Sequence, residues 1–111
     1  MDKITIKHSP WGEVQSEDIF KHGIAFVSTA SHGGFMVPIH VAKVYMSADS
    51  LKLANSYCNP WAGDGWSHKY YAFEEDCAGL AVVRDFPELS SGDMTEEEIE
   101  EMFRSMCAYA L

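Results

Sequence analysis

His32-Gly33-Gly34 sits inside "FVSTASHGGF" (26–35), and "FEEDC" (73–77) sets three carboxylates ahead of a cysteine. These residue types could run nucleophilic chemistry, with Cys77 as thiolate, His32 as base and Glu75 as the group that orients the histidine. A helix N-terminus would favour the thiolate, but Glu74, Glu75 and Asp76 beside it act the other way. Cys77 also shares helical spacing with Leu80 and Ala81, which turns it into a core. The favoured reading is a small buried cysteine and a turn histidine.

His32 with Glu74, Glu75 or Asp76 also offers imidazole and carboxylate to a divalent ion. On a helix Glu74 and Asp76 diverge by about 200°, so both cannot face one ion. No metal and no cofactor is expected. A phosphate cradle fails as well, because phosphate loops run into a helix N-terminus and here a strand follows. The remaining role is structural: a carboxylate from 74–76 accepts hydrogen bonds from the backbone N–H groups of the His-Gly-Gly turn. Trp11, Gly12 and Ser31 belong to the same structural class.

The elements that must position these residues follow from local pattern. "GIAFVST" is β-branched and aromatic and reads as a strand. "GGFMVP" reads as a second strand that stops at Pro38, which cannot donate to a ladder. Gly33 and Gly34 are expected to supply positive φ angles in the hairpin between them. "SADSLKLANSY" predicts a helix from about Ser47 to Tyr57 with Ser47 as cap and Leu51, Leu53 and Ala54 inward, while "VAKVYM" fits helix or strand. "FEEDCAGLAVVRDFPEL" predicts a helix starting at Phe73, with an apolar stripe of Phe73, Cys77, Leu80 and Ala81. Its first turn would hold Glu74, Glu75 and Asp76, and Pro87 would end it. Thr95 and Glu98 form a capping box that opens a last helix, with Ile99, Met102, Phe103 and Met106 inward and Ala110 extending the stripe. Glu96, Glu97, Glu100 and Glu101 take the opposite face. The expected fold is α+β, a single domain over 1–111, with a small antiparallel sheet in the N-terminal half covered by two or three helices of the C-terminal half.

The net charge of −9 is unevenly placed. Residues 1–73 hold six acidic and six basic side chains, whereas 74–111 hold eleven acidic residues against Arg84 and Arg104, so 2 − 11 = −9. Direct nucleic-acid binding is disfavoured, since no basic stripe meets phosphate. A basic protein surface is the better partner. No apolar run approaches the roughly 20 residues that cross a bilayer, so no membrane association is expected. The N-terminus lacks the apolar stretch of a signal peptide. Three cysteines without CxxC spacing fit a reduced, cytoplasmic setting. Trp61 and Trp66 share the turn-rich loop "CNPWAGDGWSHK", where they are either core anchors or an exposed contact.

"SPWG", "GIAFVSTASHGGF" and "YYAFEEDCAGLAVVRDFPEL" together resemble a family of small proteins of unknown function carried on phages, plasmids and integrated elements. The residues that carry it are Pro10, Trp11, Gly12, Val27, Ser28, Thr29, His32, Gly33, Gly34, Phe73, Glu74, Glu75, Asp76, Cys77, Phe86 and Pro87. The resemblance covers roughly residues 9–89 and leaves out the acidic last helix. It implies a genomic setting in which small proteins act against host defence or regulation, and implies no reaction.

The preferred expectation is a non-enzymatic acidic module that binds a basic surface of a host protein or ribonucleoprotein, as an anti-CRISPR-like inhibitor of a nucleic-acid-handling defence complex. Glu96, Glu97, Glu100 and Glu101 are its expected contacts, with Trp61 and Trp66 next. The alternatives are a small hydrolase or transferase using Cys77 and His32, and a regulatory accessory protein that forms a homodimer.

Overall fold

The fold is laid down by period-two alternation in the strands over 25–28, 33–38 and 70–74, which carry apolar residues on both faces. A computed structural model describes residues 6–57, 70–75, 78–90, 92 and 94–110. β1 (His8–Ser9) and β2 (Gly12–Glu13) form a short hairpin. β3 (Ser16–Ile19), β4 (Ala25–Ser28), β5 (Gly33–Pro38) and β6 (Tyr70–Glu74) form an antiparallel sheet in the order β3-β4-β5-β6. Between β5 and β6 the chain makes α1 (Ile39–Tyr45) and α2 (Ala48–Tyr57); α3 (Gly79–Asp85) and α4 (Glu96–Ala110) follow β6. The architecture is α+β, but β6 joins the sheet only after two helices have been made.

Register sorts the side chains. Phe26, Phe35 and Phe73 lie opposite one another across three strands, and they meet the helices. Ala25, Met36 and Ala72 form the matching row on the other face. That face is covered by the N-terminal segment, through Ile6, Val14 and the partly buried Trp11. Each face therefore has its own core, as alternation requires where both sides are covered.

Tyr70–Glu74 is a strand where the sequence predicts the start of a helix. Phe73 and Leu80–Ala81 do enter the same core, but from a strand and from a separate helix. Their helical spacing is a coincidence of two elements converging on one interior. Glu74 and Glu75 thus stand at a strand end and in the turn after it, not in the first turn of a helix. α3 begins at Gly79, where a Cβ would lie 2.9 Å from the Glu74 carbonyl oxygen. Only glycine lets the helix start that close to the strand it follows.

The other helices are set by caps. The "VAKVYM" segment is helical, since Pro38 ends β5 and Val41 and Ala42 bury one side of α1. Ser47 caps α2, its Oγ accepting the Ser50 N–H at 3.1 Å. Leu53 and Ala54 are fully buried, and Leu51 packs against the same core. At α4 the Thr95 N–H donates to Glu98 Oε1 at 3.0 Å and the Glu98 N–H to Thr95 Oγ1 at 3.1 Å, a reciprocal capping box. Ile99 and Phe103 are buried and Met106 is partly so, but Met102 is 51 % exposed, outside the stripe assigned to it.

Arg84 ties three helices together. Its Nε donates to Glu100 Oε2 at 2.7 Å and its Nη2 to Glu100 Oε1 at 3.2 Å. Nη1 reaches Ser47 Oγ at 3.1 Å and Asp85 Oδ1 at 3.2 Å. The guanidinium carbon stands 4.2 Å from the centre of the buried Phe103 ring. A planar fork can make the bidentate pair and the ring contact together, which a lysine cannot.

The bond from Arg84 holds the Glu100 carboxyl below its ordinary range. Glu100 therefore adds stability above its unfolded value of about 4.3 and loses it as pH falls through the lower folded value. Wild type should be more stable than Glu100→Gln near neutrality, with the gap between their melting temperatures closing below about pH 4. A gap independent of pH would mean that the carboxylate charge contributes nothing.

Candidate functional site

The motifs singled out in the sequence meet at one end of the sheet. In "SPWG" the Ser9 Oγ accepts the Trp11 N–H at 3.2 Å and donates to the Gly12 carbonyl at 3.0 Å. Gly12 takes a φ of 118°, a left-handed conformation suited to glycine. The turn so formed carries the Trp11 ring onto the second face of the sheet, beside Gly34. A Cβ at Gly34 would lie 2.5 Å from Trp11 Cη2 and 2.9 Å from the Glu74 Cα, and would also collide with the Phe73 carbonyl.

Gly33 and Gly34 are strand residues, and neither has a positive φ. Glycine is needed at Gly34 because a ring and a neighbouring strand occupy the side-chain volume. Asp76 lies outside the described residues, and among these no carboxylate holds the hairpin loop. Thr29 does: its Oγ1 accepts the His32 N–H at 3.1 Å and the Ser31 N–H at 3.4 Å, and donates to the His32 carbonyl at 2.8 Å. The short hydroxyl of Thr29, one residue past β4, closes the loop locally.

His32 and Glu74 are brought together, with Nδ1 to Oε2 at 3.9 Å and both side chains substantially exposed. That separation is too long for a hydrogen bond. Glu75 is exposed, and its backbone N–H donates to the Gly33 carbonyl at 3.0 Å, continuing the β5–β6 ladder by one residue. The Glu-Glu motif and the Gly-Gly motif are thus joined through main chain. Asp76, Cys77, Trp61 and Trp66 lie outside the described residues, so the proposed thiol and the tryptophan contact have no geometry here. Among the described residues no group of three His, Cys, Asp or Glu side chains is placed to hold a metal ion.

The acidic helix splits into two sets. Glu96, Glu97 and Glu101 are exposed, and among the described residues their side chains have no hydrogen-bonding or ionic partner. Glu100 is turned inward onto Arg84 and is only 37 % exposed. It forms a structural ion pair with Arg84, which sets it apart from the other three glutamates. Arg84 itself was not singled out in the sequence, although a basic residue in so acidic a segment is a signal for an internal partner. Cys107 is partly buried and free, and burial pushes its thiol pKa up.

A family model described as "Domain of unknown function (DUF7007)" matches residues 5–110. No curated protein and no solved structure matches the chain. Among the described residues no helix is long and apolar enough to cross a membrane.

Gly34→Ala should cost about 2–3 kcal/mol, because the added methyl meets backbone and a tryptophan ring that cannot both retreat. His32→Ala should cost less than about 0.5 kcal/mol, as expected for an exposed side chain without a close partner. Urea unfolding of the two variants decides the matter: a larger loss for His32→Ala would return the histidine to the centre of the motif.

Proposed function

We propose that this chain, which belongs to the DUF7007 family of domains of unknown function, is a non-enzymatic acidic module that binds a basic surface of a partner protein. The observation that carries the reading is Glu96, Glu97 and Glu101 along one exposed side of α4, with no ionic partner among the described residues. Glu97 and Glu101 stand four residues apart and share one side of the helix. Like charges so placed mildly destabilise an isolated helix, so a role outside the fold is a reason to keep them. A partner that normally holds nucleic-acid phosphates presents the matching potential. The likeness to small proteins of mobile elements makes an RNA-guided or other nucleic-acid-handling defence complex of the host the proposed target, which is an anti-CRISPR-like action in the host cytoplasm.

The hydrolase reading draws on the His32–Glu74 approach. A base with 54 % of its side chain exposed and no hydrogen bond to its carboxylate lacks the orientation that nucleophile activation needs.

Capture from host lysate would name the partner, and association kinetics would then test the surface. The triple variant Glu96→Gln, Glu97→Gln, Glu101→Gln should keep the wild-type melting temperature to within about 0.5 kcal/mol in stability. It should associate about tenfold more slowly at low salt, and with a weaker salt dependence. Equal rates at low salt would remove the α4 face from the interaction, and loss of function in Cys77→Ala would favour the enzyme.

A further inference from the structure

The helices do not cover the sheet evenly. α1, α2 and α3 pack over β5 and β6, and the helix-side surface of β3 and β4 is left largely open. Pro87, Leu89, Ser90 and Met94 line the far side, next to Val83 of α3. The result is a groove made of three contiguous depressions of about 310, 210 and 400 Å³ that share Val83. The β3–β4 connection walls one end: His22 stacks on Tyr45 with ring centres 4.4 Å apart, and Lys21 pairs with Glu88.

The floor is apolar. Phe20 and Phe26 line the open end, and Val83, Met94 and Ile99 continue it towards α4. Phe20 is 36 % exposed, a large aromatic left partly in water. The rim is acidic. Asp18 and Glu75 stand at the sheet end and Glu96 at the helix end, all three exposed. Among the described residues none of the three has an ionic partner. Arg84, the one lining cation among the described residues, is already held by Glu100 and Asp85, and Lys21 at the end is paired with Glu88, so the unpaired charge offered to an occupant is negative.

We propose that this groove docks a lysine- or arginine-bearing amphipathic segment of a partner protein. The proposal rests on the reading of the chain as an acidic binder and moves the contact from the outer side of α4 to the groove. An apolar floor between acidic rims complements a helix with leucine-type residues on one side and basic residues flanking them. Long lysine stems would cover the apolar floor while their ammonium groups reach Asp18, Glu75 and Glu96. A second copy of the chain is a poor occupant, since it carries a net charge of −9.

Three synthetic peptides test this by amide NMR titration: leucine and lysine at helical spacing, the same pattern with glutamate for lysine, and lysine with serine for leucine. The leucine–lysine peptide should bind saturably, with shifts centred on Phe20, Phe26, Val83 and Met94, and the other two should bind at least about tenfold more weakly. Asp18→Lys with Glu75→Lys, both at exposed positions, should weaken binding about tenfold, and so should Phe20→Ala. Glu13→Gln, at an exposed position on the N-terminal hairpin, should leave peptide affinity unchanged. If binding survives the groove variants and is lost in Glu97→Gln with Glu101→Gln instead, the groove is overturned and the acidic α4 face stands. Equal binding of the lysine–serine peptide overturns the apolar floor, and equal binding of the glutamate peptide overturns the acidic rim. Failure of all three peptides overturns the groove and leaves the kinetic test of α4 with a natural partner unaffected.

Discussion

The end of β6 is clasped between two glycines, and much of the molecule depends on that fit. On one side the missing Cβ of Gly34 leaves room for the Trp11 ring and the Phe73–Glu74 backbone. On the other, the missing Cβ of Gly79 lets α3 begin against the Glu74 carbonyl. The N-terminal hairpin, the β5–β6 register and the placement of α3 are all fixed by these two approaches. Each replaces a side chain with direct contact between backbone and ring or between backbone and backbone, where a single methyl has nowhere to go.

From that clasp the two cores follow. Register puts Phe26, Phe35 and Phe73 on the helix side and Ala25, Met36 and Ala72 on the hairpin side. The large aromatic row supports a core deep enough for Phe103 and Leu53, while the small row allows the short hairpin to lie close. Arg84 then joins α3 to α4 and to the α2 cap through hydrogen bonds, at a depth where its own guanidinium still touches water.

The acidic surplus is divided by this arrangement. Glu100 and Asp85 serve Arg84, Glu98 closes the α4 cap, and Glu88 pairs with Lys21. Asp18, Glu75, Glu96, Glu97 and Glu101 are left unpaired among the described residues. Some of these face outward from α4 and others rim the apolar groove, and that second placement gives negative charge an adjoining hydrophobic surface. Charge favours encounter with a basic partner, while apolar contact slows its departure.

Where structure is decided by neighbours in sequence, the residues alone were enough. Ser47 and Thr95 with Glu98 mark helix starts because a cap needs only a hydroxyl or carboxylate within three positions. Likewise, "AFVS" and "GGFMVP" pair as a hairpin because β-branched and aromatic residues flank a short polar loop. The negative charge of the last third could be counted directly. Contacts across the fold decided the rest. β6 reads as helix because Phe73 and Leu80 reach one core from two elements, a convergence invisible along one chain. Gly34 reads as a turn glycine until Trp11, 23 positions earlier, is found in its side-chain space. Glu100 reads as surface until Arg84, 16 residues away, is found bound to it. The groove has no motif at all, because it exists only where the helices stop short of β3 and β4.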